Sequence, residues 1–122
     1  MAKRVLTVDD SATVRQVLSM TLTGAGYDVA EAVDGEDALQ HFDEGSFDLV
    51  VTDLNMPNMD GIDLIREIRK RSGTRFLPII MLTTESQPER KQEGKKAGAS
   101  GWITKPFRPD QLLAVVRMIC PN

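Results

Sequence analysis

Cysteine is almost absent from this chain: Cys120 is the only one in 122 residues. An internal disulfide is therefore excluded, and a thiol in the last few residues reads as an ordinary reduced one. Histidine is as scarce. His41 stands alone among surface-type residues, without the second imidazole or thiolate that a zinc or copper site needs, so it reads as structural. Long apolar runs are missing too. Nothing approaches the roughly 20 residues that cross a bilayer, so no membrane span is expected. The opening MAKRVLTVDD has two basic residues, but its short apolar stretch runs straight into acids, unlike a secretion signal. A cytoplasmic location is the expectation.

Positive charge is not in excess either. With 18 acidic against 15 basic residues the net charge is −3, which argues against sequence-independent binding to nucleic acid. Two local basic clusters, RKRSGTR (Arg69 to Arg75) and the group Arg90, Lys91, Lys95 and Lys96, read as a solvated helix end and a solvated helix face. No repeat, low-complexity segment or long linker interrupts the chain. A single domain over residues 1–122 is expected, long enough to bury about two-thirds of its unfolded surface.

What the chain does contain is an alternation. Short runs rich in β-branched residues occur at VLTV (Val5 to Val8), YDVAEA (Tyr27 to Ala32), DLVVT (Asp48 to Thr52), PIIML (Pro78 to Leu82) and GWIT (Gly101 to Thr104). Four lack polar alternation, as strands covered on both faces do. Between them, Val14, Val17, Leu18 and Leu22, and later Leu112, Val115, Val116 and Ile119, recur at helical spacing. Ala38, Leu39 and Phe42 mark a shorter helix from Gly35 to Glu44. Ile62, Ile65 and Ile68 mark another, with Asp60 as N-cap and Met59 and Leu64 placed for a hydrophobic staple. The segment from Pro88 to Ala97 has almost no large apolar residue and an interior Gly94, which costs about 1 kcal/mol relative to alanine. It should be the least stable helix.

Strands that alternate with helices make an α/β domain, because parallel neighbours need crossovers. Five strands and five helices suggest a flavodoxin-like doubly wound parallel sheet in the order 2-1-3-4-5. Ligands bind such sheets beyond the carboxyl ends of the strands, at the switch point between the first and third. At that edge the chain places Asp9 and Asp10 after strand one, Asp53 after strand three, Thr83 after strand four and Thr104 and Lys105 after strand five. Aspartates often do no more than cap helices and form turns. Three of them crowded with a hydroxyl and a lysine repel one another unless a proton or a cation intervenes.

A divalent cation resolves that repulsion, and a donor set of oxygens alone suits Mg²⁺. A metal, a carboxylate, a hydroxyl and a lysine together amount to a phosphoryl-transfer site. Asp53 is its natural nucleophile, with Lys105 and Thr83 addressing the phosphoryl oxygens. A phosphatase that works through a phosphoaspartate needs a second aspartate two positions after the nucleophile as general acid. Here that position is Asn55, which cannot donate a proton. The site therefore suits donors whose leaving group departs unaided, although a Mg²⁺-dependent phosphatase remains the alternative of another class. A flavin binder is disfavoured, because VDDSATV puts two acids where a phosphate loop would have to be.

The stretches VLTVDDS, DLVVTDLNMPNMDG, PIIMLTTES and AGASGWITKPF agree in order and spacing with one family. The chain resembles the CheY-like receiver domains of two-component response regulators over essentially its whole length. The resemblance implies Asp53 as phosphoacceptor, Asp10 as a direct Mg²⁺ ligand, Asp9 as an acid acting on the metal through water, and Asn55 lending its backbone carbonyl. It implies Thr83 as switch hydroxyl, Lys105 as the phosphate-pairing lysine, and a cis peptide before Pro106. Trp102 stands where the family has its tyrosine or phenylalanine switch, and Asn55 and Glu85 fall at positions that tune phosphate lifetime. Leu54 departs from the tryptophan common beside the acceptor in enteric chemotaxis members.

The same resemblance implies a histidine kinase, of the CheA type, as phosphodonor. The face of helix four, strand five and helix five would bind a target such as a flagellar motor switch protein, and a phosphatase is a further candidate partner. The alternative within the class is a phosphate sink or a phosphorelay receiver in another pathway. No output domain is expected after the final MICPN, and a monomer is expected.

Overall fold

Five β-branched runs become five parallel strands because each is joined to the next through a helix that returns the chain to the same sheet edge. The computed structural model describes residues 2–84 and 88–122. Its elements are β1 (Arg4–Val8), α1 (Ala12–Gly24), β2 (Asp28–Ala32), α2 (Gly35–Glu44), β3 (Leu49–Asp53), α3 (Gly61–Lys70), β4 (Ile79–Thr83), α4 (Pro88–Ala97), β5 (Gly101–Thr104) and α5 (Pro109–Ile119). The sheet order is β2-β1-β3-β4-β5, the flavodoxin-like arrangement. Val5 pairs with Leu49 and Val8 with Thr52, so β1 and β3 end side by side.

The strands divide their side chains by parity between two cores. Val5, Leu49, Val51, Ile80 and Leu82 join Leu18 and Leu22 of α1 and Leu112 and Val116 of α5. Leu6, Val8, Val50, Ile79 and Met81 join Ala38 of α2 and Ile62, Ile65 and Ile68 of α3. With helices on both faces, β3 and β4 are buried at every residue, which is why neither carries polar alternation. Among the described residues no helix is long and apolar enough to cross a membrane.

Local chemistry sets the helix starts. Ser11, Asp34 and Asp60 each accept a hydrogen bond from a backbone N–H three residues on, at Val14, Asp37 and Asp63. In α5, Pro109 occupies the first turn and the Gln111 side chain accepts the Arg108 N–H at 2.9 Å. His41 lies 3.7 Å from Asp37 and edge-on to Phe47, a structural place.

Two readings of the sequence change here. The basic clusters are not simply solvated: Arg69 donates to the Gly98 and Thr74 carbonyls at 2.7 and 3.1 Å, tying the end of α3 to the end of α4. Arg71 pairs with Asp43 at 2.9 Å. The second change concerns Gly94, the one buried residue of α4. A Cβ there would meet the Met81 sulfur at 3.0 Å and the Trp102 indole nitrogen at 3.8 Å. The glycine that weakens α4 as a helix is what lets it lie close against β4 and β5.

Candidate phosphoacceptor and metal site

The carboxyl ends of β1 and β3 lie on either side of the switch point, with an aspartate just beyond the first and at the end of the second. Asp53 is the last residue of β3 and 7% exposed; Asp9 follows β1 and is 1% exposed. Burying two carboxylates is costly unless charge compensates them. The compensation comes from Lys105, one residue beyond β5, whose ammonium donates to Asp53 Oδ1 at 3.0 Å and to Asp9 Oδ2 at 3.1 Å. Its backbone N–H donates to the Thr83 carbonyl at 2.6 Å, fixing the lysine to the end of β4. The Lys105–Pro106 peptide is cis.

Asp10 completes the group and is exposed, with one carboxylate oxygen from each of Asp9, Asp10 and Asp53 lying within 4.8 Å of the others. Three carboxylates converge beside one ammonium, which bonds two of them. Burial pushes the Asp53 carboxyl above its ordinary pKa, and the Asp9 charge adds to this while Lys105 opposes it. Burial also works against the Lys105 ammonium, but the Asp53 and Asp9 carboxylates outweigh it and hold its pKa above the ordinary lysine value. The surplus negative charge and the all-oxygen donor set fit a small hard cation such as Mg²⁺.

The other residues singled out in the sequence border this group. Thr83 ends β4 and is 3% exposed. Asn55 is exposed just after the strand, while Glu85 lies outside the described residues. Trp102 is on β5, opposite Met81 in register. Its indole nitrogen is buried and has no hydrogen-bond partner among the described residues, and the Lys91 ammonium sits 5.5 Å from the ring centre.

Two features escaped the sequence reading. A Cβ on Gly61 would fall far inside contact distance of the Asp53 carbonyl oxygen and 3.1 Å from Leu54 Cα. The Gly61 N–H donates to the Leu54 carbonyl at 2.9 Å. The first turn of α3 is thus seated on the backbone of the acceptor itself. A glycine directly after an N-cap was the available signal, since Gly is otherwise disfavoured inside a helix. Asp60, read only as a cap, also takes the Arg90 guanidinium from α4, so one carboxylate joins the start of α3 to α4.

A family model described as the response regulator receiver domain matches residues 5–117, and the chain belongs to that family. Membership implies a histidine kinase as phosphodonor and a downstream target, and receiver domains bind Mg²⁺ at an acidic pocket of this kind. Among its relatives, the chemotaxis protein CheY of Pseudomonas aeruginosa is 38% identical over 117 residues, covering 95% of this chain and 94% of that one. The probable transcriptional regulator ycf27 of Porphyridium aerugineum is 42% identical over 117 residues, or 96% of this chain. The chain spans only 48% of that regulator. The crystallised chemotaxis protein CheY4 of Vibrio cholerae superposes with a TM-score of 0.93 at 46% identity, covering 98% of this chain and 99% of that one.

Proposed function

We propose that this receiver accepts a phosphoryl group on Asp53 and uses it to switch the face formed by α4, β5 and α5 toward a protein target. The observation that carries the reading is the Lys105 ammonium held jointly by Asp53 and Asp9 at the switch point. An Asp53 oxygen attacks the phosphorus of a phosphohistidine or acyl phosphate, and the bond to the donor's leaving group breaks. Being already ionised, Asp53 needs no general base. Lys105 is placed to exchange a carboxylate partner for a phosphoryl oxygen, and the Thr83 hydroxyl donates a hydrogen bond to another. Bound by Asp10, Asp53 and the Asn55 carbonyl, with Asp9 acting through water, Mg²⁺ would offset the charge that accumulates on the transferring group.

Asn55 offers no acidic proton to a poor leaving group, which favours a stored phosphate over turnover of ordinary esters. Phosphorylation adds about −1.5 to −2 charges, drawing Thr83 and Lys105 inward and biasing a pre-existing equilibrium. Trp102, which packs beneath Gly94 of α4, transmits the change to the α4-β5-α5 face. Chemotaxis is the favoured pathway, with a flagellar motor switch protein as target. Alignments running almost the full length of CheY chains support it. Similarity to a transcriptional regulator keeps a phosphate sink or relay in view as the second reading.

Incubation with acetyl phosphate and Mg²⁺ followed by intact mass measurement tests the chemistry. One phosphoryl group is gained by the natural chain and none by Asp53→Asn. No gain, or an undiminished gain in the variant, overturns the assignment. Release of many phosphates per chain would instead reveal a phosphatase.

A further inference from the structure

Asp9 and Asp10 share one peptide plane, and the orientation of that plane decides where both carboxylates point. Every polar atom of Asp9 is engaged. Its N–H donates to the Ala32 carbonyl at 3.2 Å, Oδ1 accepts the Ser11 N–H at 2.9 Å, and Oδ2 accepts Lys105. The remaining group is the backbone carbonyl, which belongs to the Asp9–Asp10 peptide. It accepts a hydrogen bond from Arg15 Nη1 at 2.7 Å.

Arg15 is itself fixed. Its side chain is 17% exposed, and Nε lies 3.4 Å from Glu31 Oε1 on β2, so the fork of the guanidinium spans from α1 to the neighbouring strand and back to the site. Glu31 also balances the charge that Arg15 would otherwise add beside a cation site.

We propose that Arg15, anchored by Glu31, is a positioning residue that locks the Asp9–Asp10 peptide and thereby aims the Asp10 carboxylate at the metal. The assignment rests on the phosphoacceptor reading above, in which Asp10 holds Mg²⁺ directly. A side chain that holds a metal ligand in place by a hydrogen bond alters metal affinity by about 10- to 100-fold. Electrostatics alone gives the opposite sign, because removing a cation beside three carboxylates tightens Mg²⁺ binding. The direction of the effect therefore separates aiming from charge.

The test is calorimetric titration of the full chain with MgCl₂, for the natural protein, Arg15→Ala and Arg15→Lys, each checked by thermal melting. Arg15→Ala is expected to bind Mg²⁺ about 10- to 100-fold more weakly. Arg15→Lys keeps the charge but loses the fork, and is expected to fall between the two. At saturating Mg²⁺ both variants should still take up one phosphoryl group from acetyl phosphate, because Arg15 touches no reacting atom. Unchanged or tighter Mg²⁺ binding by a folded variant overturns the role of Arg15 alone. Should the alanine variant fail to fold, the lysine variant decides. Absence of Mg²⁺ binding by the natural chain overturns the metal reading of the site together with this one.

Discussion

Alanine is the better helix former, yet Gly61→Ala should damage this protein while Gly24→Ala should not. Gly61 opens α3 and Gly24 closes α1, so the preference for alanine of about 1 kcal/mol measured in helix interiors is an upper bound at both. At Gly24, the last residue of α1, nothing among the described residues lies within 4 Å of an added Cβ. Some or all of that gain should be realised. At Gly61 the added carbon collides with the Asp53 carbonyl oxygen and crowds Leu54 Cα at 3.1 Å. Both obstacles are backbone of the central strand region, so no rotamer change relieves them. Overpacking of this kind typically costs 1–3 kcal/mol and occasionally more, and the rigidity of the neighbours argues for the upper part of that range.

Set against the propensity gain, a net loss of about 2 kcal/mol is expected. In a domain of this size that lowers the unfolding midpoint by roughly 8 °C. Thermal unfolding followed by circular dichroism measures it, with Gly24→Ala as the matched control. Because relief of the collision must displace either α3 or Asp53, the rate of phosphorylation by acetyl phosphate should fall as well. A Gly61→Ala protein as stable as the natural chain would refute the close seating of α3 on the acceptor.

Asp60→Asn keeps a capping side chain but removes the charge that faces Arg90, so a loss of about 1 kcal/mol is expected at neutral pH. Burial alone would raise the Asp60 carboxyl, yet the Asp63 N–H and the Arg90 guanidinium outweigh it and hold the pKa below the ordinary aspartate value. A lowered carboxylate pKa stabilises the fold above its unfolded value and ceases to do so as the pH falls through the folded one. Urea unfolding at stepped pH should show the natural chain's advantage over Asp60→Asn closing below about pH 4; a gap that persists at lower pH would mean the charge is irrelevant. In α4, where Gly94 is the one buried residue, amide hydrogens should exchange faster than those of α1 and α5, each of which buries two leucine or valine side chains. Equal protection by mass-resolved exchange would count against α4 as the movable element.

Much of this protein was legible from residues close together in the chain. Apolar runs without alternation at DLVVT and PIIML required a sheet covered on both faces, and the helices between them supplied the cover. Asp60 before the Ile62, Ile65 and Ile68 stripe marked a helix start because capping is a contact between neighbours. Given a parallel sheet, Asp9, Asp10, Asp53, Thr83 and Lys105 had to share one edge, since every strand ends there. Fold class follows from periods of 2 and 3.6 residues, while the strand order 2-1-3-4-5 rests on its being the common arrangement for a five-stranded sheet of this size.

What residues at that edge touch was settled only in three dimensions. Lys105 bridges Asp9 and Asp53 across separations of 96 and 52 residues, and no local pattern encodes that one ammonium serves two carboxylates. Arg69 and Arg90 looked like solvated surface because their carbonyl and carboxylate partners, Gly98 and Asp60, come from other elements. Gly94 reads in the sequence as a weakness in its helix, and Gly61 draws no notice there, because the side chains of Met81 and Trp102 and the backbone of Asp53 that approach them come from other elements. Hydrophobic period and capping are short-range properties, readable from a few neighbouring residues. Charge compensation and close approach depend on which distant segments the sheet register and helix docking bring together, and that only the folded chain decides.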